Sequence, residues 1–241
     1  MKKIIDILIE KFKLENNVAE SLIRAGDVLV NDEKIILPSL KFDEKNINIK
    51  LLNKKQYVSR GAFKLIAALK EFKINLQNFI CLDIGSSTGG FVQVLLENGA
   101  NKVYAVDVGT NQLDYKLRIN EKVVVYEKTN LKNLNIDFFN EPLDLITCDV
   151  SFISLKHVFA VSQHLLESKK KIITLIKPQF EAISKYVSKG GFVDEIHHKY
   201  IIEKVISYAK KCNFNLLKIS KSPILGGVSK NIEYLALFER K

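Results

Sequence analysis

The chain is poor in cysteine, in acidic residues and in long apolar runs, and each shortage excludes something. Its three cysteines, Cys81, Cys148 and Cys212, are odd in number and spaced neither for zinc nor for a disulfide framework, so they read as reduced thiols. No apolar run approaches the ~18–20 residues that a membrane-spanning helix requires. The longest, such as Ile172–Ile176, are short and flanked by lysines, which marks them as buried strands. The N-terminus lacks a secretion signal, because Asp6, Glu10 and Lys11 interrupt any apolar stretch. We therefore expect a cytoplasmic protein without stable membrane insertion. Histidine is also scarce, at four, and the adjacent pair His197–His198 has no Cys or acidic partner at ligand spacing. Both read as surface residues, and no metal site is expected.

Acidic residues number 27 against 37 Lys and Arg, a formal net charge of +10. Such an excess suits a polyanionic partner, either nucleic acid or an anionic membrane, and equally suits lysine used for solubility. A hydrophobic fraction of 47% over 241 residues excludes general disorder and leaves room for one α/β domain with a small appendage.

The appendage occupies residues 1–52. Ile4, Ile5, Leu8, Ile9 and Phe12 recur at helical spacing, as do Val18, Leu22 and Ile23, with Asn16–Asn17 placed to cap the second helix. Val28, Val30 and Ile35–Leu37 flank an Asn31-Asp32 turn and predict a hairpin. The stretch "VAESLIRAGDVLVNDEKI" resembles the ribosomal S-four-type RNA-binding domain, an α+β unit that presents basic residues to structured RNA. The resemblance makes Lys3 and Arg24 candidate RNA contacts, although Met1-Lys2-Lys3 stands where the pattern has an early arginine. An interaction module without RNA is the other reading of this unit.

Residues 53–60 read as a linker. Arg60 at its end either contacts phosphate or anchors the linker, and these readings stand equal. A long amphipathic helix follows, carrying Phe63, Ile66, Leu69 and Phe72, and then strands and helices alternate. Strands are expected at 79–83, 102–107, 123–126, 143–149, 171–176, 214–220 and 233–238. Helices are expected at 90–98, 112–118, 155–166 and 198–212. This alternation predicts an α/β domain over residues 61–241, a doubly wound, mostly parallel sheet with an antiparallel hairpin of the last two strands at one edge. Lys169–Lys171 read as a solvated helix end, and 181–191 as a mobile loop beside the active edge.

The most informative stretch is "CLDIGSSTGGFVQVLL": an apolar strand ending at Asp83, a small turn of Gly85, Ser86, Ser87, Thr88, Gly89 and Gly90, then a helix. Glycines let a ligand approach the backbone, and the helix start offers free N–H groups. The spacing fits neither the dinucleotide fingerprint, since Ser87 occupies the second glycine position, nor a P-loop, since no Gly-Lys-Ser/Thr closes the turn. Asp83 would repel a pyrophosphate yet suits a cationic amino-acid group. Asp107, ending the next strand in "VYAVDVG", is placed for ribose hydroxyls, with Val108 beside it. Two carboxylates around an uncharged turn point to S-adenosylmethionine.

Four more charges fall near the strand ends: Lys64 on the preceding helix, Asp149 closing "LDLITCD", Lys177 directly after "IITLI", and Glu233 entering the final strand. Here the segments "YVSRGAFKL", "CLDIGSSTGGF", "VYAVDVG", "CDVSFISL", "IKPQFE" and "IEYLALF" resemble, in order, the TlyA family of ribosomal-RNA 2′-O-methyltransferases within the FtsJ-like group. The resemblance implies a Rossmann-like methyltransferase domain, S-adenosylmethionine as cofactor, ribosomal RNA or a ribosomal subunit as partner, and cytidine as target. It places Lys64, Asp149, Lys177 and Glu233 in the family's catalytic tetrad and Asp83, Gly85, Asp107 and Asp149 around its cofactor. Chemically, a lysine near a second ammonium and partly desolvated gives up its proton more readily, so Lys177 is the expected base, Lys64 its neighbour, and Asp149 and Glu233 their orienting carboxylates. The chain departs from the family in "GGVSKNIE", where Gly226 and Gly227 stand upstream of the usual turn before the glutamate. A monomer is expected. Family members are also named haemolysins, so a membrane-lytic protein is one alternative, and a non-catalytic RNA-binding protein another.

Overall fold

The computed structural model describes residues 1–52, 57–227 and 229–241, which fall in two compact units, Met1–Gln56 and Tyr57–Lys241. The first unit comprises β1 (Lys2–Lys3), α1 (Ile4–Phe12), α2 (Asn16–Arg24), β2 (Val28–Val30), β3 (Glu33–Ile35), β4 (Lys41–Phe42) and β5 (Ile49–Leu51). The helical apolar spacing buries Ile4, Ile7 and Leu8 of α1 against Ala19 and Ile23 of α2. The cap differs from expectation. Glu15 is the N-cap of α2, and Asn16 and Asn17 lie inside the helix, where Asn17 Oδ1 accepts from Val18 N. Asn31 and Asp32 form the hairpin turn with φ of 51° and 68°, the mirror-image geometry that matches strand twist. The hairpin is shorter than expected, because Ile36 and Leu37 leave the strand and are exposed ahead of Pro38. Strand β5 pairs with the other edge of β2, a partner too distant in sequence for local pattern to show.

The second unit contains α3 (Ala62–Phe72), β6 (Ile80–Ile84), α4 (Gly90–Glu97), β7 (Lys102–Val106), α5 (Tyr115–Arg118), β8 (Val123–Tyr126), β9 (Leu145–Cys148), α6 (Leu155–Leu165), β10 (Lys171–Ile176), α7 (Pro178–Glu181), α8 (His198–Lys211), β11 (Phe214–Lys221) and β12 (Tyr234–Arg240). The seven strands form one sheet in the order β11-β12-β10-β9-β6-β7-β8. Strand β12 runs antiparallel to both neighbours and the other pairs are parallel, as the alternation predicts. Period-2 alternation divides the core. Leu82, Ile84, Ile146 and Cys148 face Val158, Phe159 and Val205 on one side. Cys81, Leu145, Ile173 and Leu175 face Leu65, Ala68, Phe91 and Leu95 on the other.

Several local expectations are corrected. Helix α5 is a single turn, started by Asp114, whose side chain accepts from Lys116 N. Helix α6 ends at Leu165 and Lys171 opens β10, so Lys169–Lys171 are not a helix end. Of the expected linker, residues 53–56 lie outside the described residues, while Tyr57 packs edge-on against Phe63 within the second unit. His198 is buried rather than superficial, because its ring nitrogens meet Tyr234 OH at 2.8 Å and Val193 O at 3.1 Å. His197 is half-buried and stacks on Tyr186 at 3.9 Å. The segment expected as a loop, 181–191, carries local structure. Glu181 ends α7 in a buried position, a short helical turn covers Ser184–Tyr186, and Val187 bridges Val193. All three cysteines are free thiols, and burial pushes that of Cys148 up to about 12. Among the described residues no helix is long and apolar enough to cross a membrane.

Phe159 is fully buried, with its ring centroid 4.9 Å from that of Phe238 and 5.7 Å from that of Phe214. Phe159→Ala is expected to cost about 3–5 kcal/mol, read as a lower midpoint in urea unfolding at unchanged slope.

Candidate active site

The parallel strands all deliver their carboxyl ends to one edge of the sheet, and the strand order reverses between β6 and β9. Ligands of such sheets bind at this point. Two clefts open there. The first, about 350 Å³, is lined by Asp83, Gly85, Ser86, Ser87, Thr88 and Gly90, with Lys64, Asp149 and Lys177 also on its wall. The second, about 420 Å³, is lined by Asp107, Val108, Thr129, Asn130, Val150 and Phe152 among others. Gly85, Ser87, Asp149 and Ser151 belong to both, so the clefts share a wall.

The glycine turn is folded on itself. The amides of Gly85 and Ser86 donate to Val106 O, that of Gly89 to Ser86 O, and that of Ser87 to Asp107 Oδ2 at 2.8 Å. With these N–H groups engaged internally, the turn is not the phosphate cradle that free amides would make. Asp107 also accepts from Gly109 N at 2.7 Å, which ties the end of β7 to the turn. Gly90 is required by close approach: a Cβ there would lie 3.0 Å from Ala62 N and closer still to Ser59 Oγ. Gly85, at φ 81°, faces Val150 across the shared wall, where a Cβ would meet Cγ1 at 3.1 Å. Gly89 lines neither cleft, and its φ of 97° lets the turn pass into α4.

Asp83 is 1% exposed, on the sheet face packed by α3 and α4. Its Oδ1 accepts from Thr147 Oγ1 at 2.7 Å, whereas Oδ2 is buried with no hydrogen-bond partner among the described residues. Burial pushes this carboxyl from 3.8 to about 7, with the nearby carboxylates of Asp149 and Asp107 adding to the rise.

The four charged residues singled out near the strand ends form one continuous array. Lys64 Nζ donates to Glu233 Oε2 at 2.7 Å and to Asp149 Oδ2 at 3.4 Å. Lys177 Nζ lies 2.7 Å from Asp149 Oδ1 in an ion pair and donates to Ser151 Oγ at 3.0 Å. The order Glu233, Lys64, Asp149, Lys177 alternates in sign and is nearly buried, which compensates charges that would be costly alone. Glu233 sits behind the cleft wall, where it backs Lys64. The displaced glycine finds its place here: the loop folds back by a Gly226 N to Asn231 O bond, and a Cβ on Gly226 would lie 2.9 Å from Glu233 Oε1.

Residues 57–240 match the FtsJ-like methyltransferase family. The chain belongs to that family. It is 43% identical over 231 residues, 95% of each chain, to a protein named Hemolysin A of Brachyspira hyodysenteriae. It is 42% identical over 224 residues, 90% of this chain and 81% of the other, to the 23S rRNA (cytidine-2′-O)-methyltransferase TlyA of Campylobacter jejuni. A solved structure from Streptococcus thermophilus, described as a presumptive hemolysin, superposes with a TM-score of 0.76 at 36% identity, over 100% of this chain and 88% of that one. The fold alone is shared with an S-adenosylmethionine-dependent methyltransferase of Mesorhizobium loti, at TM-score 0.55 and 11% identity over 75% of this chain and 99% of the other.

As a family member the chain is a methyltransferase, for which S-adenosylmethionine is the expected cofactor. The donor set fits that cofactor: the unpartnered Asp83 Oδ2 suits an ammonium, Asp107 retains acceptor capacity for a ribose diol, and the engaged turn amides demand no phosphate. Of the expected RNA contacts, Arg60 is exposed on the wall of the first cleft, whereas Lys3 and Arg24 belong to the first unit. There Lys3 precedes α1, and Arg24 pairs with Glu20 one helical turn back. Sequence reading missed Thr129, Asn130, Ser151 and Phe152. The signal was available, since they directly follow or closely trail β8 and β9 at the active edge.

Because the Asp83 carboxyl titrates at 3.8 unfolded and near 7 folded, the folded state holds an extra proton between these values. Stability of the ligand-free protein should therefore fall as pH rises from about 4 to about 7 and then level off in this contribution. Urea unfolding at several pH values should show this slope in the parent and lose it in Asp83→Asn. An unchanged slope in the variant would contradict the assignment.

Proposed function

We propose that this protein methylates a ribose 2′-hydroxyl of ribosomal RNA, at cytidine, using Lys64, Asp149, Lys177 and Glu233. The observation that carries this reading is the nearly buried alternating array beside the cleft, in which Lys64, Asp149 and Lys177 line the wall and Glu233 backs Lys64. Such a set suits moving a proton from a hydroxyl, which is a poor nucleophile until the proton leaves. The name of the Campylobacter relative supports the choice of substrate.

The cofactor supplies an electrophilic methyl group on a sulfonium. Asp83 would hold its ammonium, the turn from Gly85 to Gly90 would lie against its amino-acid end, Asp107 would take its ribose hydroxyls, and Val108 would lie beside its base. In its neutral form Lys177 would take the 2′-hydroxyl proton as the hydroxyl oxygen is methylated, which returns it to the ammonium that pairs with Asp149 and donates to Ser151. Lys64, held between Glu233 and Asp149, remains a cation and steadies the negative charge that grows on the oxygen. Asp149 orients both lysines, and Glu233 fixes Lys64. The proton then passes to water.

Residues 1–52 act as the RNA-binding domain, with Lys3 and Arg24 contacting the backbone and Arg60 a phosphate at the cleft. Duplex RNA hides its base edges in a narrow groove, so this recognition is by shape and phosphate, and affinity falls steeply with salt. The protein works as a monomer in the cytoplasm, where ribosomal subunits are found.

Lys177→Ala should lower methyl transfer by about 100-fold or more while cofactor binding stays near the parent value. Lys64→Ala should lose activity and also about 3–5 kcal/mol of stability, since it leaves Glu233 buried without its cation. Transfer assays, cofactor calorimetry and urea unfolding separate the two, and retained turnover in Lys177→Ala would overturn the assignment. Cofactor affinity should also rise with pH through about 7, as Asp83 ionises to face the ammonium, and Asp83→Asn should abolish that rise.

A further inference from the structure

On the opposite edge of the sheet, at the amino ends of β6, β9 and β10, a cavity of about 270 Å³ is walled by Lys73, Lys169, Lys170, Lys171, Phe79 and Asp144 among others. It belongs to neither cleft of the active site. Lysines that read as scattered surface charge converge here, because the loop after α6 and the end of α3 reach the same corner. The carboxylate on the wall is already engaged: Asp144 Oδ1 takes Lys170 Nζ at 2.6 Å and Oδ2 takes Ile80 N at 2.9 Å. Lys171 is matched by Glu239 at 3.4 Å. Lys73 and Lys169 are exposed and, among the described residues, form no ion pair. Both stand in left-handed backbone, φ 58° and 67°, at the points where the chain turns into the corner. The result is a concave site with two uncommitted ammonium groups, an acid already neutralised, and an aromatic wall in Phe79.

We propose that this cavity binds a phosphate group, and that its source is the backbone of the RNA substrate at a point remote from the methylated ribose. With the Asp144 carboxylate engaged by Lys170 and Ile80 N, two ammonium groups in a concavity favour a compact phosphate, whose several oxygens can meet both, over a single carboxylate. The small volume admits a phosphate with little more than its sugar. The phosphate chemistry stands on the cavity itself. The choice of RNA rests on the substrate proposed above.

The test uses the full-length protein and two double variants of equal charge change. Lys73→Glu/Lys169→Glu reverses the cavity lysines, and Lys210→Glu/Lys211→Glu reverses two exposed lysines at the end of α8. Binding of a short RNA hairpin is measured against salt, with inorganic phosphate and adenosine monophosphate titrated separately and cofactor binding as the control. The cavity variant should bind RNA about tenfold more weakly than the control variant and lower the salt slope by about one per lysine. Cofactor binding, and methyl transfer at saturating RNA, should stay at the parent level, so failure of this site and failure of the methyltransferase reading are seen separately. If inorganic phosphate binds and only the cavity variant loses it, while RNA affinity matches the control, the phosphate site stands and RNA is excluded as its source. Equal behaviour of the two double variants with every probe would overturn the proposal. Lys73→Gln/Lys169→Gln serves should charge reversal disturb folding, which thermal unfolding checks.

Discussion

Four charges cannot be buried at one sheet edge unless each faces an opposite charge, and that constraint organises the active half of this molecule. Lys64 sits between Glu233 and Asp149, and Asp149 sits between Lys64 and Lys177. Each residue comes from a different part of the chain: helix α3, the end of β9, the end of β10 and the start of β12. The antiparallel insertion of β12 beside β10 is what brings Glu233 to the array, because Tyr234 pairs with Ile176 one residue before Lys177. Removing Lys64 leaves Glu233 buried without its cation, and removing Asp149 does the same to Lys177, so chemistry and folding are coupled at these two positions.

Asp83 obeys the opposite rule. It is buried on the apolar face with one oxygen unmatched, and its carboxyl is pushed up accordingly. Beside four paired charges, this open oxygen is a place where a cation from outside would find a partner. The glycine turn conforms to this division of labour: the amides of Gly85, Ser86, Ser87 and Gly89 are engaged at Val106, Asp107 and Ser86, leaving shape more than positive potential for the ligand.

Much of this was legible in the chain, because strand-then-helix alternation places every strand end at one edge. That logic brings Asp83, Asp107, Asp149 and Lys177 to the active edge, and the structure sets Lys64 and Glu233 beside Asp149 and Lys177 there. What stayed hidden depends on distant contacts. His198 reads as a surface histidine until Tyr234 and Val193 are brought to it. Glu181 reads as the start of a loose loop, yet it is buried and accepts from Ser154 Oγ and Leu155 N, fastening the β9–α6 loop to α7. Lys169–Lys171 read as solvent-facing until Lys73 joins them. In each case local pattern gave the right residue type, and the partner from elsewhere in the chain decided its role. The net charge of +10 is similar: it points to a polyanion, but only the fold says where the positive charge gathers.

The measurement that bears most directly on the central claim is the position of the transferred methyl group. Ribosomal subunits lacking the modification, incubated with the protein and methyl-labelled cofactor, should acquire label on a ribose 2′-oxygen of a cytidine, recovered as an alkali-resistant dinucleotide. Label recovered on a base, or on ribosomal protein, would contradict the reading of the buried array as a device for taking a proton from a ribose hydroxyl.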